Sequence, residues 1–437
     1  MNNKFVAVIV VVSLIAISAG AIFMINNDSI SSTEGATGRL WVYGNANNDD
    51  YLNESDVRSI QDIIDGKTEW NKEKNPYADT NNDGVIDHTD IELLNKILNK
   101  ESCIVYYTQY WGGVYSTSYI HYPVTGGLGC QYYQAANMTT LLGIWDRVTA
   151  TESVVTSSYV NKYPGVQSLY KLGALSTMDA ETVMASGISA LIAYINNDGT
   201  GQQIQKDLRA AGSDIDVIAL PIQGYDCLDA VITMGVLLGC EEASHKYIEY
   251  CNKVTNYLSS KLSKLNNSQL AQYYIIYAPT DPGNLRIQSE DKNTGRVTGD
   301  LGFVKLIPGV NLMPYGESSW YSYRSAEWFI TDNPEYILVS MSSTTSDITA
   351  TEAQAKFNSN AQIFKGTDAY NNKNVYGFSF GMMSTYSGCA SLILLAHLLY
   401  PNLINEDYGW SILQEWYDEF TLENVDVHSV GGAVYQM

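Results

Sequence analysis

The apolar residues Tyr247, Ile248, Cys251, Val254, Leu258, Leu262 and Leu265 recur every three or four positions. That spacing places them on one stripe of an α-helix over 241–265. At 1.5 Å per residue the helix is roughly 35–40 Å long, enough to cross a whole domain. It divides residues 101–437 into two parts of similar size, 101–240 and 266–437. On both sides strand-like runs alternate with helical ones. The segments 104–107, 190–194, 217–220, 273–277 and 336–340 are rich in Val, Ile, Leu and Tyr, the residues that suit a pleated, half-buried surface. The alternation predicts an α/β architecture. With 45% hydrophobic and 16% charged residues, the chain has the material for a large core and lacks the signature of disorder.

Charge excludes one class of partner. Acidic residues outnumber basic ones 47 to 25, for a net charge of −22. Phosphate backbones need a basic face, so a nucleic-acid ligand is not expected. Lys4 precedes an uncharged apolar run over 5–24. Twenty such residues span roughly the 30 Å of a bilayer core. Residues 1–26 therefore read as a membrane anchor, with a long signal peptide as the alternative. The preceding positive charge places the rest of the chain outside the cytoplasm. No cysteine follows the run directly, which excludes a lipid-modified cysteine anchor. Residues 27–40 form a polar linker.

The six cysteines, at 103, 130, 227, 240, 251 and 389, show no metal-knuckle or C-x-x-C spacing. One or two disulfides, or buried free thiols, both remain open for an exported protein. The five histidines are scattered, with no H-E-x-x-H, which argues against a zinc enzyme.

A twelve-residue pattern occurs twice. The first copy has Asn45, Asn47, Asp49, Tyr51, Asn53 and Asp56 at loop positions 1, 3, 5, 7, 9 and 12; the second has Asp79, Asn81, Asp83, Val85, Asp87 and Asp90. Oxygen side chains at positions 1, 3, 5, 9 and 12, with the backbone carbonyl at 7, wrap a loop around one Ca2+. Each loop runs into an apolar-periodic segment, 57–64 and 91–98, expected as two helices that pack together. The second loop is complete, with Gly84 at the sharp turn. In the first, Asn45 removes a charge at position 1 and Asp50 replaces the glycine, so weaker calcium binding is expected there.

Residues 41–100 resemble a dockerin domain, in which position 12 is Asp rather than Glu. The resemblance implies structural calcium and a cohesin partner. The Asn- and Lys-rich stretch ending near Glu101 is expected to be a boundary that few contacts cross. Removal of the module is accordingly expected to leave ligand affinity unchanged.

The large region carries a second resemblance. Thr139-Thr140-Leu-Leu-Gly143-Ile-Trp-Asp146-Arg147-Val148 is similar to an early helix ending in an "LG-x-x-D-R-V" turn. Ser157-Ser158-Tyr159 and Tyr163-Pro164 come next. The segment from Met178 through Glu181 to Ala190-Leu-Ile-Ala193-Tyr194 looks like an "N-x-E-x-I-x-x-L-x-P-D-L-I-I" unit, with Ile188-Ser189 where Pro-Asp is usual. Leu228 to Ala243 looks like the helix before the spanning one. Ser325 to Val339 repeats the unit, with Pro334 present, and Asn374-Val375-Tyr376 and Leu394 to Pro401 look like the closing strand and helix. In this order the segments resemble the solute-binding proteins of ABC importers for siderophores, haem and cobalamin.

The resemblance implies two α/β lobes, Rossmann-like, joined by the 241–265 helix, with a metal chelate held between them. It also implies that Glu181 and Glu327, one per lobe, dock onto arginines of the permease. Loops after strands face a ligand in such folds. Those loops hold Tyr132, Tyr133, Tyr159, Tyr163, Trp320, Tyr321, Tyr323, Arg324 and Tyr386. Aromatic walls with one cation, here Arg324, suit a flat or greasy chelate of iron, haem or a cobalamin-like corrinoid.

Two other functions compete. Gly377-Phe-Ser379-Phe-Gly381 matches G-x-S-x-G, with Asp407 or Asp426 and then His428 in hydrolase order. Too little chain follows Gly381 to complete a hydrolase sheet, so no enzyme is expected. A dockerin-bearing surface protein that adheres to a polymer is the other alternative.

Overall fold

The computed structural model describes residues 39–437, apart from 74, 196–198, 223–226, 291–298, 318–319, 342–347 and 430–433. The expected membrane segment and most of the linker lie outside these residues. Among the described residues no helix is long and apolar enough to cross a membrane.

The repeated loops lead into α1 (Glu54–Ile64) and α2 (His88–Leu98). Asn53 and Asp87 are the N-caps, and Asp56 and Asp90 complete capping boxes three residues on. Loop positions 9 and 12 thus also satisfy the first free N–H groups of each helix. The helices close on a small core of Ala46, Ile60, Ala78 and Leu94.

The chain then forms a hairpin of β1 (Cys103–Trp111) and β2 (Val114–Tyr122). Gly112 and Gly113 both take positive φ, 54° and 102°, as a two-residue turn matched to strand twist requires. Several contacts cross the expected boundary near 101. Leu40, Trp41 and Val42 belong to the main core of the large region. Val42 bridges Tyr107 antiparallel, Thr108 N–H donates to Trp41 O at 2.9 Å, and Trp41 N–H donates to Thr233 Oγ1 at 3.0 Å. The physical reason is burial: the apolar side chains at 40–42 are covered by the larger core and not by the small core of the module.

Five short strands follow: β3 (Leu128–Cys130), β4 (Val148–Thr151), β5 (Tyr170–Lys171), β6 (Ala190–Ile192) and β7 (Asp216–Ile218). All pair in parallel, in the order β5-β4-β3-β6-β7. The crossovers contain α3 (Tyr133–Leu141), α4 (Ser153–Ser158), α5 (Ala180–Ala185) and α6 (Thr200–Ala210). Helices cover both faces, so β3, β6 and β7 are buried throughout. Arg147 fastens the turn after α3 by donating to Leu238 O at 2.9 Å and to Val124 O.

Next come α7 (Cys227–Leu238) and α8 (Glu241–Leu262), the helix expected from the apolar stripe, three residues shorter than expected. Its Tyr247, Ile248, Cys251, Val254, Leu258 and Leu262 are buried.

The second sheet comprises β8 (Ala271–Tyr277), β9 (Leu285–Gln288), β10 (Gly309–Asn311), β11 (Tyr321–Arg324), β12 (Tyr336–Met341), β13 (Val375–Ser379) and β14 (Val434–Gln436). The path is β11-β9-β8-β12-β13-β14, with β10 beside β8. β8, β12 and β13 are parallel; β9, β11 and β14 run antiparallel to their neighbours. Its helices are α9 (Gly299–Val304), α10 (Ala326–Asp332), α11 (Ala350–Ala361), α12 (Asp368–Asn371), α13 (Phe380–Met383), α14 (Gly388–Leu399) and α15 (Glu406–Phe420).

One core joins the parts. It contains residues of β3, α3, α7, α8, β8, α14 and α15. Two smaller clusters lie against the far sides of the two sheets. All six cysteines are free thiols, and Cys130, Cys227, Cys251 and Cys389 are buried.

Candidate functional site

In the first sheet the chain direction across the sheet reverses between β3 and β6. The carboxyl ends of such strands open a crevice. β3 delivers Tyr132 and Tyr133 there, and the segment after α4 delivers Tyr159 and Tyr163. Their rings form a continuous chain. Tyr194–Tyr132 and Tyr132–Tyr133 centroids are 4.7 Å apart, Tyr133–Tyr159 5.0 Å, and Trp145–Tyr163 4.7 Å. Tyr133, Tyr159 and Tyr163 line a cavity of about 280 Å³ together with Ser379 and Phe380 from the end of β13. Burial pushes the Tyr133 and Tyr163 phenols well above their ordinary range. With no ligand bound, the neutral phenols present an aromatic face with a hydroxyl tip. Tyr163 donates to Asn137 Oδ1. Lys162 and Glu423, both largely buried, pair at 3.6 Å on the cavity wall.

A larger open groove of about 900 Å³ follows α6 and is lined by polar residues such as Gln203, Lys206 and Asp207. It has neither strand ends nor aromatic walls, so the smaller cavity is the better candidate.

The second sheet contributes differently from expectation. Arg324 forms a bidentate pair with Glu317, at 2.8 and 2.6 Å, and lies over Trp328. Strand side chains alternate faces. Tyr274 and Ile276 belong to the outer cluster and Tyr273 and Ile275 to the shared core. Arg324 is on the outer side, with Tyr274 and Trp328, and is no cleft cation. Arg286 is on the inner face, where it pairs in register with Tyr277. Its guanidinium carbon is 3.9 Å from the Tyr277 ring centroid and 4.3 Å from that of Tyr321. Tyr277 in turn meets Phe380 edge-on at 5.1 Å.

Other expected wall residues also move. Tyr386 is fully buried; its hydroxyl donates to Gln134 O, and its carbonyl accepts from Tyr247 at 2.6 Å. It ties α8 to α3 within the core. Tyr323 lies exposed on the edge strand β11, beside Trp320 and Tyr321 in sequence but not in the cavity lining.

Ser379 is buried at the cavity. Asp426 accepts the backbone N–H of His428 at 3.0 Å, and the His428 ring packs on Trp410. That is a turn and a ring contact, not an acid orienting a base. Glu181 and Glu327 are exposed in the first turns of α5 and α10, behind the N-caps Asp179 and Ser325. A hydrogen bond from Ser325 holds the Glu327 carboxyl below its usual range.

The two acidic loops share one hydrogen-bond plan. Asn47 N–H donates to Asp56 and Asn81 N–H to Asp90, both at 3.1 Å; Tyr51 and Val85 N–H groups donate to Asp49 and Asp83 at 2.8 and 2.9 Å. The oxygen-only donor set fits Ca2+. Asn45 Oδ1 is buried without a hydrogen-bond partner among the described residues, an oxygen left over for a cation. The carboxylates turn to the loops' own N–H groups, and among the described residues no three His, Cys, Asp or Glu side chains gather around a metal position. At Asp50, where the second loop has Gly84, the first loop meets α8. His245 Nε2 lies 2.9 Å from Asp50 O, and its ring stacks on Tyr51 at 4.2 Å.

A periplasmic binding protein family model matches residues 130–380. Among solved structures, the TroA-like periplasmic binding protein FepB of Veillonella parvula is similar at 15% identity, with 71% of this chain and 94% of that one covered and a TM-score of 0.58. CeuE of Helicobacter pylori, in a Ni-His complex, gives 12%, 73%, 96% and 0.52. MolA of Haemophilus influenzae, bound to molybdate, gives 14%, 69%, 95% and 0.50. At these identities the likeness is one of fold. No curated protein sequence matches the chain.

Proposed function

Since the chain belongs to the periplasmic binding protein family, whose members bind solutes for ABC transporters and are not enzymes, we propose that its solute is an iron chelate, haem or a cobalamin-like ligand. The observation that carries this is the wall of neutral tyrosines at strand ends, facing Phe380 across one cavity. Flat, largely apolar chelates offer the area such rings cover. Two lobes on the two sheets, with α8 between them, would close on the ligand. Mass spectrometry of the solute copurified with the exported chain tests the proposal. A sugar or amino acid in place of a chelate would overturn it.

Glu181 and Glu327 are proposed to dock onto permease arginines. The support is their matched placement, exposed at N-terminal turns before β6 and β12. Reversing both to Lys should abolish uptake, since like charges at a docking surface cost several kcal/mol, while ligand affinity stays constant. Loss of both together would place them in the cleft.

Residues 41–100 are proposed as a dockerin-like calcium module with a cohesin partner, supported by the duplicated hydrogen-bond plan. Asp79, Asn81, Asp83, Asp87, Asp90 and the Val85 carbonyl would hold the tighter ion, which would stiffen the loop. The N-terminal apolar run is proposed to tether the protein to the cytoplasmic membrane, on its outer side.

A further inference from the structure

The charges of the candidate cavity cancel. Among the described residues that line it, Lys162 and Glu423 alone carry charge. They pair with each other at 3.6 Å, with side chains only 17% and 16% exposed. Arg286 lies outside that lining. The other polar groups there, such as Asn137, Thr140 and Ser379, are neutral. Burial pushes the Tyr133 and Tyr163 phenols up, so they are neutral too.

Local structure supports both partners. Lys162 is in the turn after α4, where its N–H donates to Tyr159 O at 3.0 Å. The next residue, Tyr163, is anchored by its hydrogen bond to Asn137. Glu423 follows α15. Thr421 Oγ1 donates to Tyr417 O at 2.9 Å and accepts the Glu423 N–H at 3.1 Å, which folds the chain back at the end of the helix. Gln414 holds the following stretch by donating to Val425 O at 2.8 Å. The pair thus joins a loop of the first sheet to the C-terminal segment between two braced backbones.

A buried ion pair offsets two desolvation costs with one attraction, and removing either partner leaves the other charge uncompensated. An anionic solute that drew Lys162 away would leave the Glu423 carboxylate unpaired beside it. A cationic solute that drew Glu423 away would do the same to Lys162. A neutral solute leaves the pair intact and meets aromatic faces and neutral hydrogen-bond groups. The whole chain also repels anions, since its net charge is −22.

We propose that Glu423, by holding Lys162, selects a solute of no net charge over an anionic one. This deepens the chelate proposal and rests on it. Within that class it favours a ferric trihydroxamate, whose three anionic ligands cancel the charge of the iron, or a neutral corrinoid. It disfavours a ferric tricatecholate, which is a trianion, and a ferric porphyrin, which its two propionates make a monoanion. Glu423 is a positioning residue, since it acts on the solute through Lys162.

The test is equilibrium dialysis of the full chain, in neutral detergent, against a cyclic ferric trihydroxamate, cyanocobalamin and a ferric tricatecholate, with bound iron or cobalt counted. The salt is about 0.5 M, which screens repulsion from the chain's net charge and leaves the buried pair largely unscreened. Wild type should bind at least one neutral probe roughly tenfold or more tighter than the tricatecholate. Glu423→Gln frees Lys162 and should reverse that order. Glu423→Asp keeps the charge and should preserve the order, and Glu423→Gln combined with Lys162→Met should return it to the neutral probe. A merely structural role for Glu423 would weaken all probes together and leave their order unchanged. That outcome overturns the proposal, as does a tricatecholate bound by wild type as tightly as the neutral probes. The wild-type ratio decides the matter even where a variant fails to fold. Preference of wild type for the tricatecholate sinks this inference alone, whereas binding of none of the three probes sinks the chelate reading and this inference with it.

Discussion

The module at 39–100 and the region carrying the two sheets are held together by different means. The module is built from short-range polar contacts, two capping boxes and Asx-type loop bonds, around a small apolar core of Ala46, Ile60, Ala78 and Leu94. The larger region is built from long-range burial, with one apolar core running through α7, α8, α14 and both sheets. A core of four fully buried residues, with eight partly buried ones packed against it, stabilises little by itself. The module remains ordered by inserting Leu40, Trp41 and Val42 into its neighbour and by resting Tyr51 on His245. The contrast teaches that a duplicated-loop module can be a fixed part of a binding protein, with its first loop committed to the spanning helix.

The largest test of that contrast is deletion. A chain beginning at residue 101 loses three buried apolar side chains, each contributing about 2–5 kcal/mol, against a typical total of about 5–15 kcal/mol. It should show no cooperative melt by circular dichroism. A near-normal melt would mean that the two regions are independent. Next in size is Trp41→Ala. Trp41 is buried and meets Tyr115 edge-on at 5.4 Å, so the loss should be about 3–5 kcal/mol in urea unfolding. A change below about 1 kcal/mol would assign the junction to backbone bonds instead.

Calcium separates the regions more finely. With the ion at about 100 times its Kd, chelation should remove about 2.7 kcal/mol. Asp83→Ala should abolish more of that effect than Asp49→Ala, because the first loop already lacks a carboxylate at position 1. An EDTA-insensitive melt would remove calcium from the account. The smallest effect is expected from His245→Ala, roughly 1–2 kcal/mol for the Tyr51 ring stack and the hydrogen bond to Asp50 O that join the first loop to α8. Hydrogen exchange should rise in the first loop and the start of α8 together. A rise in only one of them would show that the contact does not couple the two.

Features that local spacing controls can be read from the chain alone. The two loops, their capping residues Asn53 and Asp87, and the α8 stripe are legible because a cap acts over three residues and a helix face repeats every three or four. The segment order that resembles solute-binding proteins likewise carried the family. Features that depend on distant partners are set by folding. Val42 meets Tyr107 and Trp41 meets Thr233 through contacts that no local pattern encodes. Tyr386 occupies a post-strand loop in sequence but is drawn into the core by Tyr247 and Gln134. Two arginines of the second sheet are the sharpest case. Arg324 and Arg286 are both strand arginines near aromatics, and the one-residue alternation of β-structure sends the first outward to Glu317 and the second inward between two tyrosines. Register is set by pairing across strands, where a shift of one position exchanges the faces, so an isolated chain segment does not contain that choice.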